Sequence, residues 1–186
     1  MSEDFSRLVS LACHDLRTPL ATVQGFAKTL LRQNDLGDPA SRYLTLIDAA
    51  SDELVQLLDA LSIAARIESG RYDPVLRSID SLELAQAAVE NATGEGATVA
   101  VDVDAVERAL AAFARAASRH GGVEISTTVD GIEVSFAPIV RDAGQIVLAE
   151  DQRDLGAAVA VMIVRALGGD VALEGERLVV TLPAPS

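Results

Sequence analysis

Two long apolar stripes constrain this chain more than any other feature. Leu16, Leu20, Val23, Ala27 and Leu30 recur at helical spacing within residues of about 4 to 33. Leu46, Ile47, Ala50, Leu54, Leu57, Leu58, Leu61, Ala64 and Ala65 do the same between about 39 and 68. The segment Asn34-Asp35-Leu36-Gly37-Asp38-Pro39 breaks the pattern and Gly70 ends it. The spacing predicts two antiparallel helices that cannot cover both stripes by themselves. They either pack on the rest of their own chain or join a second copy in a four-helix bundle.

Beyond Gly70 the periodicity changes. Tyr72 to Ile79 reads as a strand, Ser81 to Asn91 as a helix capped by Asp80 or Ser81, and Thr98 to Val101 as a strand. Asp104 to Arg119 reads as a helix with Val106, Leu110 and Phe113 inside. Val123 to Val129 and Ile132 to Phe136 alternate around Asp130-Gly131, a hairpin signal. Leu155 to Leu167 is an apolar helix stopped by Gly168-Gly169. Val171 to Leu173 and Leu178 to Leu182 form a closing hairpin. The expected organisation is a helical hairpin over residues 1–70 and an α+β domain over 71–186, its helices on one face of a mainly antiparallel sheet.

Charge and composition narrow the function. With 28 acidic against 15 basic residues the net charge is -13, and no Lys/Arg run is present. Nucleic acid and anionic membrane surfaces are therefore poor partners. No apolar stretch approaches the ~20 residues that span a bilayer, and the start Met1-Ser2-Glu3-Asp4 is unlike a signal peptide. Cys13 is the single cysteine, which excludes an internal disulfide and suits a reducing, cytoplasmic setting. Its expected role is small apolar filler.

The first helix carries His14-Asp15-Leu16-Arg17-Thr18-Pro19-Leu20. Residues four apart share a helix face, so His14 and Thr18 lie together, away from the apolar stripe. The imidazole is thereby expected to face water, as a nucleophile that meets a partner protein must. Pro19 cannot donate to the carbonyl of Asp15, so a bend is expected just after His14. Taken as an isolated His-Asp pair, His14 reads as an ordinary surface histidine and Pro19 as a tolerated kink.

These seven residues resemble the phosphoacceptor box of histidine kinases, and the resemblance tips the hairpin toward a dimeric four-helix bundle. It implies that His14 is the phosphorylated residue. Neutral imidazole is a competent nucleophile near pH 7, and Asp15 is the candidate that fixes its tautomer and stabilises the imidazolium. Thr18 would position a water or contact the partner.

The second domain resembles the ATP-binding domain of the same family, with its nucleotide residues missing. Val101-Asp102-Val103-Asp104-Ala105-Val106-Glu107-Arg108-Ala109-Leu110 looks like the lead-in to the family's asparagine-bearing helix. Asp154-Leu155-Gly156-Ala157-Ala158-Val159 and Ala166-Leu167-Gly168-Gly169 look like its second glycine box and closing turn. The positions matching the asparagines are Ala112 and Ala116, and a methyl group cannot ligate magnesium. Ala137-Pro138-Ile139-Val140 stands where the adenine-reading Asp-x-Gly-x-Gly segment belongs. The phosphate loop is reduced to Gly156, with Asp154 expected to repel a triphosphate. The lid shrinks to Arg141–Gln152, and Asp142-Ala143-Gly144 carries little weight as a shifted remnant. His120 reads as a capping charge at its helix C-terminus.

The expectation is a histidine phosphotransferase on a reduced kinase scaffold, using neither a cofactor nor a metal of its own. Its partners would be a response-regulator receiver domain, an upstream histidine kinase and a second copy of itself. Three alternatives stand beside it: an active ATP-dependent kinase, a response-regulator phosphatase, and a pseudokinase that binds without chemistry.

Overall fold

The computed structural model describes residues 3–32, 38–140, 143–151 and 153–185. The turn expected over Asn34 to Gly37 lies outside them. The chain divides into two compact units, Met1–Ser62 and Ile63–Ser186.

Most of the first unit is α1 (Glu3–Arg32) and the greater part of α2 (Asp38–Glu68). Helix α1 runs through Pro19 as one element. Phe26, late in α1, stacks on Tyr43, early in α2, with ring centroids 5.2 Å apart. That contact makes the pair an antiparallel hairpin. Ala12, Pro19, Ala40 and Ala50 are buried. The expected stripes are only partly covered: Leu16, Val23, Ala27, Leu30, Leu54 and Leu57 are half-buried, while Leu20 and Leu58 are 45% and 54% exposed. A two-helix pair has one mutual face, so the rest of each stripe stays open.

The second unit is α+β. Its strands are β1 (Arg77–Asp80), β2 (Ala92–Gly96), β3 (Thr98–Val101), β4 (Ser126–Gly131), β5 (Glu133–Ala137), β6 (Asp170–Glu174) and β7 (Arg177–Thr181). Its helices are α3 (Ser81–Ala88), α4 (Val103–Gly121), α5 (Ala143–Val147) and α6 (Leu155–Ala166). The larger sheet has the order β2-β4-β5-β7-β6, parallel at β2–β4 and antiparallel elsewhere; β1 and β3 pair separately. Register aligns two buried rows, Thr127-Phe136-Leu178 and Val129-Val134-Val180-Val171. Phe113 of α4 meets Phe136 at 6.3 Å between centroids, joining the helix layer to the sheet. Each such large side chain contributes roughly 1.5–3 kcal/mol on burial.

Thr127 is the discordant member of its row. Its Oγ1 is buried with no hydrogen-bond partner among the described residues. An unsatisfied buried hydroxyl costs about 1–3 kcal/mol, so Thr127→Val is expected to stabilise the chain by about 1 kcal/mol. Urea unfolding checks this, as a higher midpoint at unchanged slope; a lower midpoint would mean the hydroxyl is used.

Several local expectations are corrected. The strand expected from Tyr72 begins only at Arg77. Pro74 cannot join a ladder, and Tyr72 is engaged elsewhere. Its hydroxyl donates to Asp102 Oδ2 at 3.3 Å, while Asp102 Oδ1 caps α4 through the Ala105 N–H at 3.2 Å. The Arg66 guanidinium lies 5.8 Å from the Tyr72 ring centre. Burial, then the Asp102 charge, push the Tyr72 pKa from 10.0 up to about 12. A pKa raised in the fold means that this contact's stabilisation is complete below about pH 10 and is lost as pH rises through about 12. Tyr72→Phe is accordingly expected to lower the melting temperature at pH 8, by an amount that shrinks toward pH 12.

Helix α3 is capped by Asp80, which accepts from Leu82 N at 2.8 Å and Glu83 N at 3.2 Å. Ser81 is buried instead, donating to the Gly131 carbonyl and accepting from Ala97 N. Strand β2 and helix α5 carry no recognisable pattern in the sequence. Strand β2 (ATGEG) is held by its parallel partner β4, with Gly94 at φ +132°, where a Cβ would collide with the Val129 carbonyl. The first hairpin turns at Gly131-Ile132, one residue later than expected, because Asp130 pairs with Glu133.

Candidate functional site

The phosphoacceptor box occupies the middle of α1. Its backbone at His14 is helical; the His14 side chain, and with it the expected exposure of the imidazole, lies outside the described residues. Asp15 is half-buried, and Arg17 and Thr18 are exposed. From Arg17 and Thr18 an open groove of about 710 Å³ runs down α1 past Ala21, Thr22 and Gly25 to Thr29. Thr18, Ala21 or Thr22, and Gly25 repeat at three- and four-residue intervals, so the groove continues the helix face on which His14 stands. Its walls are small because Thr22 Oγ1 and Thr29 Oγ1 bond back to the carbonyls of Thr18 and Gly25, at 3.2 and 2.9 Å. Among the described residues, no group of three or more His, Cys, Asp or Glu is placed to hold a metal ion.

The second region is the junction of α4 and α6. Ala112 and Ala116 are buried, at 8% and 1% exposure. Gly156 packs on the same spot: a Cβ there would lie 3.4 Å from Ala112 Cβ and 3.2 Å from Asp154 Oδ1. The positions expected to hold magnesium ligands are thus methyl groups in a helix–helix contact.

Asp154 stands at the start of α6. It is turned inward as the N-cap of α6, accepting from Ala157 N at 2.9 Å. Its other oxygen lies 3.2 Å from His120 Nε2 and 3.7 Å from an Arg119 guanidinium nitrogen. His120 stands in the last turn of α4, as expected of a capping charge, and has this carboxylate as a specific partner. The partly desolvated Arg115 guanidinium, beside Arg119, has its pKa drawn down, with Asp154 acting in the opposite sense. Arg115 and Arg119 belong to no motif in the sequence, although their four-residue spacing beside His120 is a usable signal.

The remaining segments are filled by packing. Ile139 is buried and donates to the Glu176 carbonyl at 2.6 Å. The shortened lid forms α5, whose Ala143, Gly144, Ile146 and Val147 are buried. A Cβ at Gly144 would lie 2.8 Å from Leu173 Cδ2, so this glycine serves close packing. Arg141, Asp142 and Gln152 lie outside the described residues.

Comparison with known proteins bears on the first region directly. The His Kinase A (phospho-acceptor) domain matches residues 6–70. The match takes in the helical hairpin and the box around His14. The probable sensor histidine kinase TcrY of Mycobacterium tuberculosis is 31% identical over 87 residues, covering 46% of this chain and 18% of TcrY. The histidine protein kinase DivJ of Caulobacter vibrioides is 26% identical over 171 aligned residues, covering 81% of this chain and 28% of DivJ. The chain thus spans less than a third of the length of either curated relative. Among solved structures, the Acinetobacter baumannii histidine kinase AdeS superposes with a TM-score of 0.63 at 19% identity, covering 93% of this chain and 98% of that one. The likeness is one of fold: a helical hairpin followed by an α/β sheet domain, mixed α+β, as expected. This histidine-kinase relative has, among its described residues, no helix long and apolar enough to cross a membrane.

Proposed function

We propose that this protein is a histidine phosphotransferase in two-component signalling. His14 takes a phosphoryl group from a receiver aspartate, or from a separate kinase, and passes it to a response-regulator receiver domain. The unprotonated ring nitrogen forms the N–P bond as the P–O bond to the donor breaks; Asp15 fixes the tautomer and stabilises the imidazolium that forms, and Thr18 positions a water or contacts the partner. The receiver supplies its own magnesium, so this chain needs neither metal nor ATP.

One observation carries the reading. The phosphoacceptor box is complete, whereas the α4–α6 junction buries alanines at the positions matched to the family's asparagines and turns Asp154 inward as the N-cap of α6. The open groove below Thr18 supports docking of a partner on the His14 face. Two radiolabel assays test it, one with ATP and one with a phosphorylated receiver. Label on His14 from the receiver alone supports phosphotransfer. Label from ATP would restore the kinase reading. Loss of receiver phosphate without label on His14 would favour a phosphatase, and neither event a binding module.

The hairpin is proposed to dimerise. Leu20, Leu44, Val55 and Leu58 are exposed on one protomer, and large apolar side chains left open on both helices of a hairpin suit burial against a second copy. Leu57→Glu is expected to dissociate or unfold the dimer, since an unpaired buried charge costs about 3–5 kcal/mol. Light scattering at micromolar concentration checks both states; a monomeric parent chain would remove the proposal.

A further inference from the structure

Helix α2 outruns the unit in which it starts: the boundary falls between Ser62 and Ile63, and the helix continues to Glu68. Its last turns, with Ala64 fully buried, therefore belong to the second unit. Gly70, at φ +65°, turns the chain back, while the Gly70 and Arg71 N–H groups donate to the carbonyls of Ile67 and Arg66 at 3.0 and 2.8 Å. The reversal sets the Tyr72 ring beside the helix just left, with the Arg66 guanidinium carbon 5.8 Å from its centre, within cation–π reach. The hydroxyl end of the same ring meets a different helix. It donates to Asp102 Oδ2 at 3.3 Å, while Asp102 Oδ1 accepts the Ala105 N–H at 3.2 Å as the N-cap of α4. The covalent route between these points is looser. From Asp73 to Val75 no backbone hydrogen bond to either helix forms among the described residues, and Val75 and Leu76 are 72% and 56% exposed. The ion pair of Arg77 with Asp104, at 3.0 Å, reaches the same turn of α4 but lies open to solvent, where such pairs contribute little.

We propose that Tyr72 is a conformational latch: through Asp102 it joins the last turns of α2 and the first turn of α4 into one mechanical piece. Strain or rotation arriving along α2 then passes to α4 through this ring instead of dissipating in the open linker. Opening the latch loosens both helix ends together. The coupling is independent of the chemistry at His14, and loss of His14 labelling leaves it untouched.

The test is amide hydrogen exchange of the full chain, read by mass spectrometry over residues 63–71 and 103–107. Tyr72→Phe keeps the ring and removes the hydroxyl. Asp102→Ser, 30 residues from Tyr72 in sequence, keeps one capping oxygen and removes the acceptor that Tyr72 uses; Asp102→Thr is a second capping-competent variant in case the first folds poorly. Each folded variant is expected to speed exchange over 63–71 by at least about fivefold, and Tyr72→Phe to speed 103–107 as well. The double variant should exchange no faster over 63–71 than the faster single one, because both break the same contact. Arg77→Gln, which opens only the exposed ion pair, should leave 63–71 unchanged. Unchanged exchange over 63–71 in folded Tyr72→Phe, effects that add in the double variant, or an Arg77→Gln effect as large as that of Tyr72→Phe would each overturn the proposal.

Discussion

His14→Gln is expected to abolish phosphoryl acceptance entirely while the chain still folds. Transfer from an aspartyl phosphate requires a lone pair on a nitrogen basic enough to attack at neutral pH. Imidazole offers one; the glutamine amide does not, because its nitrogen lone pair is delocalised into the carbonyl. The substitution keeps a polar side chain of good helix propensity within α1. Polar replacements away from cores and caps usually change stability by less than about 0.5 kcal/mol. The expected result is therefore no label on the protein from a phosphorylated receiver, with a melting curve close to that of the parent. A labelled His14→Gln protein would falsify the proposed role of this residue. An unlabelled protein that has also unfolded would be resolved by His14→Asn, which keeps an amide in the ring's position.

The second large effect is an absence of useful affinity for Mg-ATP. Ala112 and Ala116 present methyl groups inside a helix–helix contact, with Gly156 packed against Ala112. Asp154 is turned inward at the start of α6, with His120 Nε2 3.2 Å and Arg119 3.7 Å away. The segment after β5 is taken up by Ile139, buried and hydrogen-bonded to the Glu176 carbonyl. A charge-assisted hydrogen bond to nucleotide is worth about 1.5–3 kcal/mol. Going without two of them weakens a micromolar site to roughly millimolar, at tenfold per 1.4 kcal/mol. Calorimetry with Mg-ATP should return no saturable signal at micromolar concentrations. A micromolar dissociation constant would bring back the kinase reading.

The elements legible from sequence are those whose order is local. Helices α1, α2, α4 and α6 repeat apolar residues at three- and four-residue intervals, and each repeat is satisfied within its own turn-to-turn geometry. The closing hairpin shows its turn through Gly175, at φ +63°, because a left-handed residue there suits glycine whatever surrounds it. The seven-residue box on α1 is readable for the same reason: its spacing is the helix's own. Ala112 and Ala116 are readable on the same terms, since a methyl group cannot ligate a metal in any fold.

What stays hidden in the sequence depends on partners distant along the chain. Strand β2 has two glycines and no apolar alternation, and exists because β4 lies beside it. Ser81 is a candidate cap until the fold brings the Gly131 carbonyl, 50 residues on, to its hydroxyl. Tyr72 looks like a strand residue because nothing near it in sequence announces Asp102. Asp154 is the sharpest case. By itself an aspartate beside a phosphate loop means repulsion of anions. Only tertiary packing, which sets His120 and Arg119 against it from 34 and 35 residues away, makes it a buried helix cap with side-chain partners on α4. Periodicity reports which face of an element is apolar; which charge meets that face is decided by loop closure and packing across the whole domain.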